Sequence, residues 1–252
     1  MQLTLEGQRC RVRDEVDSTN AEAVRCIAAG AREGWVAARR QSCGRGRRGR
    51  SWVSCPGNLF ASHWQIVDES PAMSVQRSFV AALALRDGIT GLLPAGPTVT
   101  LKWPNDVLMD GCKVAGILLE NISKNSVRHV VTGFGVNLAA APALTKRSSH
   151  KPSVASVLDL ADVAIAPLDF LRVLAAAFRF RNSQLLLNGF AEVRDEWLNH
   201  AHWLNEPVRV VGAGNSFNGI FRSIDRSGRA VVERAGRPEF VAAADMGLAG
   251  MP

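Results

Sequence analysis

Tyrosine is missing altogether from this chain, and acidic residues are outnumbered by basic ones, 23 to 30. Aromatic residues reach only 6 %, so the stacking platforms on which single-stranded nucleic acids are held are few. Long apolar runs are absent too. The best candidate, Phe170–Phe180, is interrupted by Arg172 and Arg179 and is too short to span a bilayer. The start, Met1-Gln2-Leu3-Thr4-Leu5-Glu6, has neither a basic segment nor an extended apolar one, which argues against a secretory leader and makes the cytoplasm the expected compartment. Cys10, Cys26, Cys43, Cys55 and Cys112 are odd in number and scattered, none at C-x-x-C spacing, and read as reduced, structurally incidental thiols. His200 and His202 lie two apart and would point to different faces of a helix, so no protein metal site is expected.

The 252 residues, 47 % hydrophobic and 21 % charged, suffice for one sizeable core and a small second unit. The formal charge of +7 is local: Arg39, Arg40, Arg45, Arg47, Arg48 and Arg50 fall together with no acid among them, and without those six it drops to +1. A basic segment on an otherwise near-neutral chain asks for a local anionic partner.

No internal repeat is present. A strand around Cys10–Arg13 leads to Asp17-Ser18-Thr19-Asn20, where Ser18 or Thr19 can cap a helix that carries Val24 and Ile27 and stops at Gly30. Strands follow over Trp35–Ala38 and Leu59–Ile66. Ser70-Pro71 signals a helix with Val75, Phe79, Val80 and Leu83 at helical spacing. Thr98–Trp103 reads as a strand, and Val107–Met109 with Lys113–Glu120 as a hairpin about the Asp110-Gly111 turn. Val127–Val131 then runs into Gly133-Phe134-Gly135-Val136-Asn137, and helices span Pro167 to Gly189 and Ala191–Asn199. After Asn205 the texture changes to short strands, Pro207–Val211, Phe217–Ile224, Arg229–Arg234 and Phe240–Ala242, with turns at Gly212-Ala213-Gly214 and Ser227-Gly228. The expected class is α+β: a mixed, mostly antiparallel sheet covered by helices over 1–204, and a small β-barrel over 205–252. Tight hairpins argue against a doubly wound sheet.

Four segments carry chemistry. In Gln41-Ser42-Cys43-Gly44-Arg45-Gly46-Arg47-Arg48-Gly49-Arg50-Ser51-Trp52, glycines allow sharp bends and arginine forks suit phosphate oxygens, with Trp52 as a stacking plane. Such charge density implies a loop that orders when an anion arrives, and a solvated or RNA-binding Gly/Arg tract is the competing reading. In Leu101-Lys102-Trp103-Pro104-Asn105-Asp106, Lys102 at a strand end can meet a carboxylate or phosphate, although turn chemistry alone explains Pro-Asn-Asp. Lys113-Val114-Ala115-Gly116-Ile117-Leu118-Leu119-Glu120 offers close approach to an apolar ligand, or simply packing. Gly133-Phe134-Gly135-Val136-Asn137 removes side chains where a flat ligand could lie.

In this order the segments resemble the biotin–protein ligase family: a Ser-Thr-Asn start, G-R-G-R-R-G-R-x-W, K-W-P-N-D, K-x-A-G-I-L-x-E and G-x-G-x-N, matching from about Asp17 to Asn137 and more loosely beyond. The resemblance implies a class II aminoacyl-tRNA synthetase-like catalytic fold with an SH3-like C-terminal barrel. It implies that Ser18, Thr19, Asn20 and Gln41 bond the ureido end of biotin. Gly44, Arg45, Gly46 and Arg47 would cover biotin and the α-phosphate, and Gly116 would permit close approach. Arg48, Arg50, Trp52, Asn58 and Asn137 would serve the nucleotide, and Lys102 would contact the biotin carboxylate and, with Arg45 and Arg47, serve the reaction. Departures from the family pattern are Cys43 where Ala, Ser or Thr is usual, Cys112 where Arg is frequent, Phe60 for a frequent tyrosine, and Val154-Ala155-Ser156-Val157 for Ala-Thr-Ser-Leu. They leave the charges the chemistry needs in place.

The implied reaction is two-step: biotin and Mg-ATP give biotinyl-5′-adenylate, and a lysine of a biotin carboxyl carrier domain then takes the biotin. Magnesium would come with ATP rather than in a protein site. The short stretch before Ser18 leaves no room for a helix-turn-helix, so operator DNA is not an expected partner. Oligomeric state stays open between monomer and homodimer. A lipoate- or octanoate-type acyltransferase of the same fold, and an RNA-binding module built on the Gly/Arg loop, are the alternatives.

Overall fold

A computed structural model describes residues 1–93, 96–142, 152–212 and 215–249. Chain order begins with β1 (Gln2–Leu5), β2 (Gln8–Val16), α1 (Thr19–Ala28), β3 (Gly34–Gln41) and β4 (Leu59–Ile66). The short α2 (Pro71–Ser74) leads into α3 (Gln76–Leu92), followed by β5 (Val99–Lys102), β6 (Asp106–Met109), β7 (Cys112–Lys124) and β8 (Val127–Val136). Three more helices, α4 (Val157–Ala161), α5 (Pro167–Asn188) and α6 (Phe190–Asn199), precede β9 (Pro207–Val211), β10 (Ser216–Ile224), β11 (Ala230–Arg234), β12 (Arg237–Val241) and β13 (Asp245–Leu248).

The first eight strands form one sheet in the order β1-β2-β3-β4-β8-β7-β6-β5. Every pairing is antiparallel except β2 with β3, which α1 joins by a crossover. The β6–β7 hairpin turns at Asp110 (φ 47°) and Gly111 (φ 76°), the paired positive angles that the right-handed strand twist favours. Successive residues of a strand face opposite ways, and the central strands use both sides. Trp35, Ala37, Leu59, Ala61, Phe134 and Val136 join α3, α5 and α6 in the main apolar cluster. Val36, Trp64 and Val131 pack instead with Ala23, Cys26 and Ile27 of α1. Trp35, Phe134 and Phe178 meet with ring centroids 5.5–5.8 Å apart, offset or edge-on, contacts worth about 1 kcal/mol each beyond their area.

The C-terminal strands form a second, all-antiparallel sheet, β12-β11-β10-β9-β13. Its inner residues Val208, Val210, Phe221 and Val232 belong to the same apolar cluster as the main sheet, and Trp103 Nε1 donates to Gly228 O at 3.1 Å across the junction. The sequence pattern gave α5 and β9 their bounds, but it overlooked β1, α4 and β13. Gly133 and Gly135 lie inside β8 rather than beyond it, because β4 and β7 pair with them on both sides. The Gly212-Ala213-Gly214 turn lies partly outside the described residues. Among those described, no helix is long and apolar enough to cross a membrane.

Candidate active site

A cavity of about 130 Å³ opens on the α1 side of the main sheet, between the start of α1, β7, β8 and the loop after β3. One end is neutral and tightly cross-bonded. Ser18 holds the N-cap position of α1 but makes no side-chain cap bond. Instead Gln41 Oε1 reaches over from the end of β3 and accepts from Thr19 N at 2.8 Å, satisfying one of the free amides of the helix start. Thr19 Oγ1 also lies 3.2 Å from Gln41 Oε1. From β4, the fully buried Ser62 Oγ sits 2.8 Å from Thr19 Oγ1 and 2.6 Å from Asn20 Oδ1. Asn20 Nδ2 donates to Glu120 Oε2 at 2.6 Å and Leu118 O at 3.3 Å. A Cβ on Gly133 would come within 2.3 Å of Asn20 Oδ1, so this strand position has to be glycine for Asn20 to lie as it does.

The other end is charged. Asp106 sits between two lysines, with Lys113 Nζ at 2.6 Å and Lys102 Nζ at 3.4 Å. Burial pushes the Asp106 carboxyl up, but the two ammonium groups outweigh it and hold it down at about 2. Burial lowers the Lys102 ammonium, with Asp106 opposing. Lys113 faces the cavity because of a β-bulge: Val107 pairs with Ala115 and Leu108 with Lys113, leaving Val114 over, and the extra residue turns Lys113 to the side that Gly116 faces. Its Nζ stands 5.4 Å over the Trp52 ring. The Trp52 indole in turn lies on the bare backbone of Gly116 and Gly135, where added Cβ atoms would approach its ring to 2.9 and 2.5 Å.

The Gly/Arg loop folds over both ends. Trp52 N donates to Gly44 O at 2.9 Å and Gly46 N to Arg50 O at 2.6 Å, which closes the loop as a narrow hairpin around the 3-10 turn Arg47–Gly49. Gly44 allows this, since a Cβ there would meet Trp52 O at 2.4 Å. Arg45 reaches Glu120 (3.3 Å) and Arg47 reaches Asn105 Oδ1 (3.2 Å), while Arg48 and Arg50 turn to the C-terminal sheet. Burial, then the neighbouring Arg48, lower the affinity of Arg47 for its proton. Each loop guanidinium therefore has a protein partner, where the sequence suggested a loop waiting for an anion. No Ser, Cys or His of the cavity is paired with a base, and among the described residues no three His, Cys, Asp or Glu gather as metal ligands.

Residues 15–137 match the model of the biotin/lipoate A/B protein ligase family. The chain is also 41 % identical to a biotin–[acetyl-CoA-carboxylase] ligase of Paracoccus denitrificans, over 93 % of this chain and 98 % of that one. It belongs to the biotin–protein ligase family. Another ligase of that name, from Mycobacterium tuberculosis, is 31 % identical over 92 % of this chain and 86 % of its own length. In fold, the chain is similar to a biotin protein ligase of Aquifex aeolicus solved in complex with biotin and ATP, with a TM-score of 0.77, 21 % identity, and 95 % and 99 % of the two chains covered.

Seen as a biotin–protein ligase, the chain gathers Ser18, Thr19, Asn20, Gln41, Arg45, Gly46, Arg47, Arg50, Trp52 and Gly116 around one cavity. Gly44 shapes the loop from behind. Lys102 does not line the cavity; it stands behind Asp106, 5.8 Å from the Trp203 ring. Asn58 and Asn137 are brought to each other instead. Asn58 Oδ1 accepts from Ala139 N and Ala140 N, and its Nδ2 donates to Ala140 O at 2.8 Å. Asn137 Nδ2 donates to Ala155 O at 3.3 Å, so both side chains are engaged in holding the strand-to-loop exit from β8. Sequence reasoning missed Lys113, Ser62 and Glu120 as members of the site. Lys113 and Glu120 open and close a motif already singled out, but strict strand alternation puts Lys113 opposite Gly116, and only the bulge reverses that.

Proposed function

We propose that this chain is an ATP-dependent biotin–protein ligase that forms biotinyl-5′-adenylate and passes biotin to a lysine of a biotin carboxyl carrier domain. The observation that carries this reading is a single cavity with a neutral, hydrogen-bonding end, a glycine floor and a cationic end, roofed by an arginine loop. Such a cavity suits a uncharged bicyclic urea at one end and a carboxylate meeting a phosphate at the other. The named relatives support the same assignment.

In the first step a carboxylate oxygen of biotin attacks the α-phosphorus of ATP, which enters as its magnesium complex, and the bond to pyrophosphate breaks. Lys113 meets the carboxylate and the α-phosphate, oriented by Asp106, while Lys102 adds charge from behind. Arg47, held on Asn105 next to Asp106, adds a donor at this end while Arg45, held on Glu120, covers the biotin, so charge growing on the phosphorus is met by donors already in place. In the second step the neutral amine of the carrier lysine attacks the acyl carbon, AMP leaves with the bonding pair, and the amine sheds a proton. Positioning and electrostatics suffice for both steps, without a protein nucleophile. Ser18, Thr19 and Gln41 take the ureido group, with Asn20 and Ser62 fixing their geometry. Arg48, Arg50 and Trp52 serve the nucleotide, and Asn58 and Asn137 shape its wall. Residues 1–204 form the catalytic unit and 205–252 an accessory one, a division of labour across a shared core.

The test is biotin-dependent exchange of labelled pyrophosphate into ATP, with lipoate and octanoate in parallel. Exchange with biotin alone is expected. Exchange with lipoate or octanoate but not biotin would falsify the assignment and favour an acyltransferase of the same fold.

A further inference from the structure

The second sheet has no place in the two-step chemistry, yet its contacts with the Gly/Arg loop are specific. Arg50 makes a two-pronged pair with Asp245 at the start of β13, with Nη1 and Nη2 at 3.2 and 3.1 Å from the two carboxylate oxygens. Arg48 Nη2 donates to Ala243 O at 2.9 Å and its Nη1 reaches Val211 O at 3.5 Å. Val211 and Asp245 are partners in the β9–β13 ladder, so these groups share one end of the sheet.

The backbone of the loop bears this out. Arg48 has φ 56° and ψ 37°, a left-handed conformation uncommon for a residue with a Cβ. The side chain that leaves this turn is caught by two carbonyls of the second sheet. On the other flank, Arg45 and Arg47 are held by Glu120 and Asn105 of the catalytic unit. The loop is thus gripped on two sides by different parts of the chain.

We propose that the C-terminal sheet is a clasp for the Gly/Arg loop, with Asp245 and the carbonyls of Val211 and Ala243 as positioning groups that keep Arg50 and Arg48 in place and the loop closed over the cavity. The pair is partly exposed, and such pairs are individually weak, so the clasp can open for substrate entry and for the carrier lysine. A triphosphate competes with Asp245 for Arg50. Once the adenylate has formed and pyrophosphate has left, Arg50 returns to Asp245 and the loop shields the mixed anhydride from water. This last consequence rests on the ligase reading; the clasp itself does not.

The experiment compares the full chain with Asp245→Asn, using Glu233→Gln as control. Glu233 pairs with Arg222 at 2.9 Å in the same sheet and has no part in the loop contacts. Trypsin nicking of the ligand-free proteins within Arg45–Arg50, mapped by mass, should be roughly two- to five-fold faster in Asp245→Asn and unchanged in Glu233→Gln. Release of free biotinyl-adenylate per pyrophosphate formed should rise by a similar factor in Asp245→Asn alone. Nicking of Asp245→Asn at the wild-type rate, or equal acceleration in both variants, overturns the clasp. If Asp245→Asn does not fold, wild-type nicking in the loop must rise with salt relative to other sites, as the pair is screened; no salt response overturns the proposal. Absence of biotin-dependent exchange in the wild type sinks the ligase reading but leaves the nicking comparison standing.

Discussion

The two faces of the main sheet are made by alternate residues of the same strands, and they differ in kind. In β8, Phe134 and Val136 point into the apolar core under α5, while Gly133 and Gly135 face Asn20 and Trp52. In β4, Ala61 packs into that core while Ser62 bonds to Thr19 and Asn20. One face fills space with rings and branched chains. The other, beyond the small apolar cluster of Val36, Trp64 and Val131 with α1, empties space with glycines and fills what is left with hydrogen bonds. A strand buried on both faces can therefore separate stability from function residue by residue, at a spacing of one.

The comparison can be broken most severely through the core. Phe134→Ala removes a ring that is 3 % exposed and packed on Trp35 and Phe178, and should cost about 3–5 kcal/mol in urea unfolding. Folded protein of that variant should keep a near-normal KM for biotin, and a large KM change with little loss of stability would reverse the assignment of the two faces. Lys113→Ala should do the opposite. Pyrophosphate exchange should fall by about 10²- to 10³-fold, the size expected for losing a donor to the developing charge, with a much smaller change in unfolding free energy.

Gly133→Ala adds one methyl group to the functional face, against Asn20. A shift of Asn20 and Ser62 should weaken biotin use by roughly 10- to 100-fold while the thermal midpoint stays close to wild type. Unchanged kinetics would mean that the Asn20 network does not set the geometry of the neutral end.

The smallest effect concerns His63, on the core face of β4 between Trp35 and Phe178. Burial, then nearby Arg77, push its pKa from the ordinary 6.5 down to about 3. Below about pH 6.5 the unfolded chain binds a proton that the folded chain refuses, so stability falls as pH drops from there towards 3, by at most ~1.4 kcal/mol per pH unit. Above 6.5 the group contributes nothing. Asp106, held at about 2, loses its contribution only below its ordinary 3.8, which lies outside the range from about pH 7.5 to 5. Urea titrations between about pH 7.5 and 5 should show a shallower slope for His63→Gln than for wild type; equal slopes would remove His63 as a source.

Much of the fold was legible because its signals are local. Asp110-Gly111 can hardly be anything but a hairpin turn, and Pro167 and Gly189 bracket α5 by what proline and glycine do at helix ends. β1 and β13 are four-residue edge strands held by β2 and β9, and unlike β6, of the same length, neither adjoins the Asp110-Gly111 turn that marks a hairpin. Ser156, the N-cap of α4 with a full capping box to Asp159, lay in a stretch read for its family likeness rather than for its helix signal.

The sequence by itself determined the chemical inventory: an arginine loop, a glycine floor, a Ser-Thr-Asn start and the strand-end Lys102 in a fixed order, together with the class of fold that carries them. These follow from residue identity and short-range spacing, which sequence states directly. Only the tertiary structure decided which of those groups face the cavity. A single bulged residue turned Lys113 inward, Asn58 and Asn137 were drawn into holding backbone, and Arg48 and Arg50 were caught by a sheet some 195 residues further along the chain. Side-chain direction depends on register and on partners distant in sequence, and neither is encoded within the motif that contains the residue.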